Sequence, residues 1–128
     1  MKLPSDEVVS GWMPVTQERI NAFADATNDR QWIHVDSDNP IAHGFLTLSM
    51  LPHLLRDAVQ LEGVAMSVNY GLNRVRFTAP VPSGSRIRGR FRVAAADENK
   101  VTWNVTVECD AAAKPCCVAE WVTVYYER

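Results

Sequence analysis

Ile41-Ala42-His43-Gly44-Phe45-Leu46-Thr47-Leu48-Ser49-Met50-Leu51-Pro52-His53-Leu54-Leu55 is the stretch that decides the architecture. From Ile41 to about Val59, apolar side chains fall on almost every side of a helix, at Ile41, Leu46, Leu48, Met50, Leu51, Leu54 and Leu55. A helix of that kind has to be enclosed by the rest of its fold. It is too short for an easy membrane span, which takes roughly 18 to 20 apolar residues. Pro40, just ahead of it, suits a helix start because its missing N–H costs nothing in a first turn. The expectation is one long, buried helix over 41–59.

What encloses it lies downstream. Val64, Met66, Val68 and Tyr70 alternate with Ala65, Ser67 and Asn69. Ile87, Phe91 and Val93 alternate with Arg86, Arg88, Arg90 and Arg92, and Val101, Trp103, Val105 and Val107 with Thr102, Asn104, Thr106 and Glu108. That period of two predicts half-buried strands. Asp97-Glu98-Asn99 reads as a hairpin turn, Pro80 to Gly84 as a break, and Cys117 to Tyr126 as a last strand rich in Val, Trp, Thr and Tyr. Upstream, Thr16 stands at an N-cap position with Glu18 in the first turn, and Ile20, Phe23, Ala24 and Thr27 follow at helical spacing. Asn28 is a suitable left-handed stop for a helix over Gln17 to Thr27. The class is therefore α+β, an antiparallel sheet curled around a central helix, wet on one face. A sheet this small leaves edges that invite pairing with a second copy, so a homodimer is expected.

The 128 residues suit one domain over 1–128, with no repeat, linker or low-complexity segment. A net charge of −2 offers no basic face for nucleic acid. Met1 to Ser10 lacks the features of a secretory signal, and no apolar run is long enough to span a membrane. Cys109, Cys116 and Cys117 are odd in number and clustered, which fits neither a disulfide framework nor a zinc site. They read as small apolar strand residues, and cytoplasm is the expected location.

Two features can carry chemistry. Asp29 and His34 stand five residues apart in a loop between two helices, a carboxylate and an imidazole able to share one water as a general acid–base pair. Ile41-Ala42-His43-Gly44 opens the apolar helix, where N–H groups without internal partners can face a carbonyl oxygen. Gly44 either lets a ligand approach the backbone or permits tight helix–sheet packing. The row Arg86, Arg88, Arg90 and Arg92 is either a phosphate contact or, as such rows more often are, a solvated face paired with acids. His43 at the helix start and His53 read as structural or exposed rather than catalytic.

The stretch Phe23-Ala24-Asp25-Ala26-Thr27-Asn28-Asp29-Arg30-Gln31-Trp32-Ile33-His34-Val35-Asp36, followed by Ile41-Ala42-His43-Gly44-Phe45-Leu46 and Ser49, resembles the hydratase segment of the MaoC-like (R)-specific enoyl-CoA hydratases. Tyr70-Gly71-Leu72-Asn73-Arg74-Val75-Arg76-Phe77 and Pro80-Val81-Pro82-Ser83-Gly84-Ser85 resemble the branch of that family that includes nodulation protein N. The resemblance implies a hot-dog fold, usually dimeric, with acyl thioesters of coenzyme A as substrates and the substrate tunnel near the subunit interface. It puts Asp29 and His34 on the family's catalytic pair and Ser49 on a pocket residue of the central helix. Ile41, Ala42, His43 and Gly44 fall where the family's helix start supplies an oxyanion-binding N–H. Arg74 and Arg76, inside the family-like segment, are the better candidates for the phosphates of coenzyme A. No metal is implied, and coenzyme A enters only as part of the substrate.

This chain departs from the pattern twice. Gln31-Trp32 stands where many relatives have Asn-Pro, and only Ser37 to Pro40 stand where relatives usually carry a longer Gly- and Phe-rich segment. The latter is either a trimmed lid or an omitted flexible segment. The implied activity is (R)-specific hydration of trans-2-enoyl-CoA. Its rivals are an acyl-CoA thioesterase and a non-catalytic acyl-CoA-binding protein on the same fold. Many hot-dog thioesterases place an acid on or near the central helix, and none occurs from Ile41 to Arg56.

Overall fold

The hydroxyl of Thr16 accepts a hydrogen bond from the Arg19 N–H, and helix α1 (Gln17–Thr27) begins there as its sequence predicts. It ends at Asn28, which takes the left-handed conformation at φ 58°, ψ 29°. These features come from a computed structural model that describes residues 1–128. Before α1 stand two short strands, β1 (Val8–Val9) and β2 (Met13–Pro14). After it come α2 (Trp32–Val35), α3 (Gly44–Ser49) and α4 (Leu51–Ala58). The long strands β3 (Val64–Arg76), β4 (Arg86–Asp97), β5 (Lys100–Cys109) and β6 (Cys117–Glu127) complete the chain.

The long helix expected over 41–59 is in fact two. Ile41 lies outside both, held in a β-bridge to Pro82, and the helical backbone starts at Gly44. The break at Met50 has a covalent cause: Pro52 has no N–H to give back to Leu48, and its ring crowds that carbonyl. Nor is the pair enclosed all round. Leu46, Leu51, Leu54 and Leu55 are buried, Met50 only partly, and Phe45 is 68% exposed. The apolar helix surface has one face in the core and another on the outside of this chain.

All strand pairs are antiparallel, in the order β1-β4-β5-β6-β3, with β2 also on β4. Asp97 pairs with Lys100, so Glu98 and Asn99 form a two-residue hairpin turn, and Glu98 takes φ 57°. Inward residues of β5, namely Val101, Trp103, Val105 and Val107, are all buried as the alternation predicts. Trp103 meets Trp121 across the β5–β6 pair, and its indole N–H reaches Thr123 and Tyr125. Bulges interrupt β3 in three places and β4 at Val93/Ala95, bending the strands about the helices. None of the helices is long and apolar enough to cross a membrane.

Residue 89 carries no side chain, which leaves room for the Phe91 ring and for helix α4: a Cβ there would come within 2.6 Å of Phe91 and 3.3 Å of Leu54. Leu54 is 1% exposed. Leu54→Ala is expected to destabilise the fold by about 2 to 5 kcal/mol, read from denaturant unfolding.

Strand β3 departs from its expected pattern. Met66, Val68 and Tyr70 were expected to be half-buried, yet they are 52%, 43% and 63% exposed. Its position explains this: β3 is the sheet edge, with β6 on one side and no neighbour on the other.

Three of the four arginines in the row pair with acids, and Arg92 is exposed. Arg86 bonds Asp110 at 2.8 Å, Arg88 bonds Glu108 at 2.8 Å, and Arg90 bonds both Glu108 at 2.7 Å and Glu7 at 2.9 Å. Trp12 lies under Arg86 and Arg88. Hydrogen bonding by Arg88, then Arg90, holds the Glu108 carboxyl below the usual glutamate range. A depressed folded-state value stabilises the protein above the unfolded value, and that contribution is lost as pH falls through the folded one. Between about pH 5 and pH 3, the melting temperature of wild type should therefore fall more steeply than that of Glu108→Gln.

Candidate active site

Two backbone carbonyls set the state of two histidines. His34 Nδ1 lies 2.7 Å from the Ile41 carbonyl oxygen. A carbonyl only accepts, so Nδ1 carries the proton and Nε2 of the neutral ring keeps its lone pair. His43 Nε2 likewise donates to the Asp29 carbonyl at 2.8 Å. The two rings stack, with centroids 3.7 Å apart and planes 23° from parallel. Phe23 packs against His43 at 4.9 Å.

Local structure explains how these groups meet. Asn28 turns the chain out of α1, and the next residue, Asp29, returns its N–H to Ala24. Residues 32–35 form a single helical turn where a loop was expected, and that turn carries His34 inward to 7% exposure. The Gln17 side chain donates to the His34 carbonyl at 2.8 Å, and the Ile41 N–H bonds Ile33. The short 37–40 segment is tied on both sides, by Asn39 N–H to the Ser37 hydroxyl and by Ser83 N–H to the Pro40 carbonyl.

Side-chain polar atoms of Asp29, His34 and His43 all lie within 4.8 Å of one another. Asp29 is exposed, and its carboxylate has no partner. A carboxylate oxygen within 4.8 Å of a ring nitrogen is not too far for one water to bond both, since each bond takes about 2.8 Å. The trio is also of metal-ligand type. However, Nδ1 of His34 and Nε2 of His43 are already spent on backbone carbonyls, and the two rings lie stacked face to face. The geometry suits acid–base work.

His34 opens onto a cavity of about 320 Å³ lined by Ile41, Ala42, Gly44, Thr47, Phe77 and Cys116, among others. Burial pushes the Cys116 thiol up to about 12, so it stays neutral and is no nucleophile. The N–H groups of Ile41 and Ala42, expected to face a substrate oxygen, are instead spent on Ile33 and Val81. Those of His43 and Gly44 have no partner in the chain. Gly44 is explained by packing: a Cβ there would come within 2.9 Å of the Phe77 ring.

The other expected binding residues lie apart from His34. Ser49 bonds the Leu46 carbonyl and lines a neighbouring groove of about 340 Å³ with Phe45, Leu72 and Trp121. Arg74 pairs in register with Glu120 and lies beside Asn104 and Thr106, on the face of the sheet turned away from the helices. Arg76 is exposed and bonds the Val75 carbonyl. Phe77 and Thr47 belong to the His34 cavity but were not singled out by sequence. Phe77 ends the family-like segment and was its only available signal.

A bent antiparallel sheet around a helix pair, with a buried histidine opening onto a cavity and an aspartate within 4.8 Å of its ring, defines a hot-dog-fold protein. The chain belongs to the MaoC-like domain family, whose model matches residues 2–114. It is 45% identical over 129 residues to 3-hydroxyacyl-thioester dehydratase Z of Mycobacterium tuberculosis, covering 91% of this chain and 85% of that one. It is 41% identical over 130 residues to nodulation protein N of Rhizobium meliloti, covering 90% and 81%. The solved structure of the (R)-hydratase from A. caviae involved in PHA biosynthesis superposes with a TM-score of 0.77 at 21% identity, covering 94% of each chain. Because 129 aligned positions take up only 91% of a 128-residue chain, about a dozen of them have no counterpart here.

Proposed function

We propose that this protein is an (R)-specific enoyl-CoA hydratase, adding water to trans-2-enoyl-CoA thioesters. The chain is a hydro-lyase on this reading, and the same site run backwards dehydrates a 3-hydroxyacyl thioester. The observation that carries it is the approach of the exposed Asp29 carboxylate to within 4.8 Å of the His34 ring, which itself lines a cavity. A relative named as a thioester dehydratase, aligned over most of the chain, supports the reaction class. The (R) stereochemistry rests on family resemblance.

In the proposed step Asp29 and His34 hold one water. Its oxygen bonds to the β-carbon, one of the two groups takes its proton, and the other, protonated from solvent beforehand, delivers that proton to the α-carbon, so the pair holds one proton before and after the step. Electron density moves onto the thioester oxygen as the new bond forms, and the unpartnered N–H groups of His43 and Gly44 are the donors available to steady it. Coenzyme A enters as part of the substrate, and no other cofactor takes part. Two copies form the working unit through β3, beside the groove lined by Phe45 and Leu72. The three free thiols suit a reducing compartment, so the proposed location is the cytoplasm.

Two assays run side by side test the reading. With crotonyl-CoA, absorbance of the conjugated enoyl thioester should fall without release of free thiol. Thiol release from a saturated acyl-CoA would instead mark a thioesterase, and silence in both a binding protein. The thioesterase reading has less support here. Asp57, the first acid of the helix pair, accepts from the Gly11 N–H at 2.6 Å.

A further inference from the structure

We infer that His43 is a positioning residue that sets Asp29 against His34; this rests on the hydratase reading above. One buried ring touches both members of the pair. Its face lies against His34 at 3.7 Å, and its Nε2–H holds the Asp29 carbonyl at 2.8 Å, fourteen residues back along the chain. Asp29 is exposed and its side chain has no bond of its own, so its place depends on its backbone. That backbone is pinned twice, by its N–H at the end of α1 and by its C=O on His43. His34 is clamped in the same way, by its Nδ1–H on Ile41 and by its stacked face, which leaves Nε2 for the cavity.

Neither nitrogen of His43 does chemistry. Nε2 gives its proton to a carbonyl, Nδ1 is buried without a partner, and the ring does not line the cavity. An orphaned acceptor in the interior is unfavourable, and a residue kept for packing alone would avoid it. The contact to Asp29 is what an apolar ring lacks. A shift of about 1 Å in a reacting group is enough to lower turnover about a hundredfold.

Two variants separate the ring from the hydrogen bond. His43→Gln keeps a side-chain N–H of similar reach and loses the ring, whereas His43→Phe keeps a ring and loses the donor. With crotonyl-CoA, His43→Phe should lower kcat by about 10- to 100-fold with KM within about threefold. His43→Gln should restore most of that loss. In the Phe variant, ¹⁵N shifts of His34 should keep the signature of an Nδ1–H tautomer, showing that His34 has kept its bond to Ile41. Should His43→Phe not fold, His43→Met takes its place with the same kinetic expectation. Wild-type kcat in the donor-free variant, equal loss in the Gln variant, or a loss confined to KM overturns the inference. His34→Ala run alongside separates the two claims. If it keeps full activity, the hydratase reading fails; if it is inactive while His43→Phe is normal, only the role of His43 fails.

Discussion

His34→Ala and Asp29→Asn are each expected to lower crotonyl-CoA hydration by about 10²- to 10⁴-fold, the usual contribution of a general acid or base. Both groups act on one water, so the double variant should be barely worse than the more damaging single one. Their stabilities should differ. Asp29 is exposed with an unbonded carboxylate, and Asn keeps its shape, so Asp29→Asn should melt with wild type. His34 is buried, bonded to Ile41 and stacked on His43, so removing it uncovers a carbonyl and a ring face. The His34→Ala chain should therefore melt lower, and its activity is to be measured well below that transition. Binding of the thioester should persist in both, since the donors proposed for its oxygen are the backbone N–H groups of His43 and Gly44. Full hydration by the His34→Ala protein would end the proposed mechanism.

Local signals proved the most legible. Thr16 and Asn28 bound α1 as their chemistry requires, and the alternation in β5 matches its burial residue by residue. Errors arose where a wider context decides. Composition over 41–59 suggested one enclosed helix, yet a single proline at 52 divides it, and Phe45 stays 68% exposed with an edge-on contact to Phe77. Alternation in β3 describes a pleated strand equally well whether its neighbours exist or not, so the edge could not be read from it. The same holds at the site. Asp29 and His34 could be singled out because they are close in sequence and sit in a family-like motif. The tie from His43 to Asp29 closes only when α1, the short α2 turn and the start of α3 come together. Spacing likewise did not reveal that Ile41 and Ala42 spend their N–H groups on neighbouring backbone.

Assembly should show the other large effect. Strand β3 presents thirteen residues at the sheet edge, and from Val64 to Asn73 none of them is charged or a proline. Met66, Val68, Tyr70 and Leu72 are all more than 40% exposed there. A long apolar edge without charge or proline is a template for pairing, and a lone chain carrying it would aggregate unless something covered it. A two-fold pairing of β3 with its own copy satisfies the unpaired backbone groups and closes the assembly at two. It also places the second copy beside the groove lined by Phe45, Leu48 and Leu72, where an acyl chain leaving the His34 cavity would need cover from water. Wild type is thus expected to scatter light with twice the mass of one chain at micromolar concentration. In Met66→Lys/Val68→Lys, each copy brings two new cations to the shared edge, and like charges across paired strands repel. That variant should scatter as a single chain and hydrate crotonyl-CoA poorly, with Asp29 and His34 unchanged. A wild-type protein that is monomeric at micromolar concentration and fully active would remove β3 as the dimer edge.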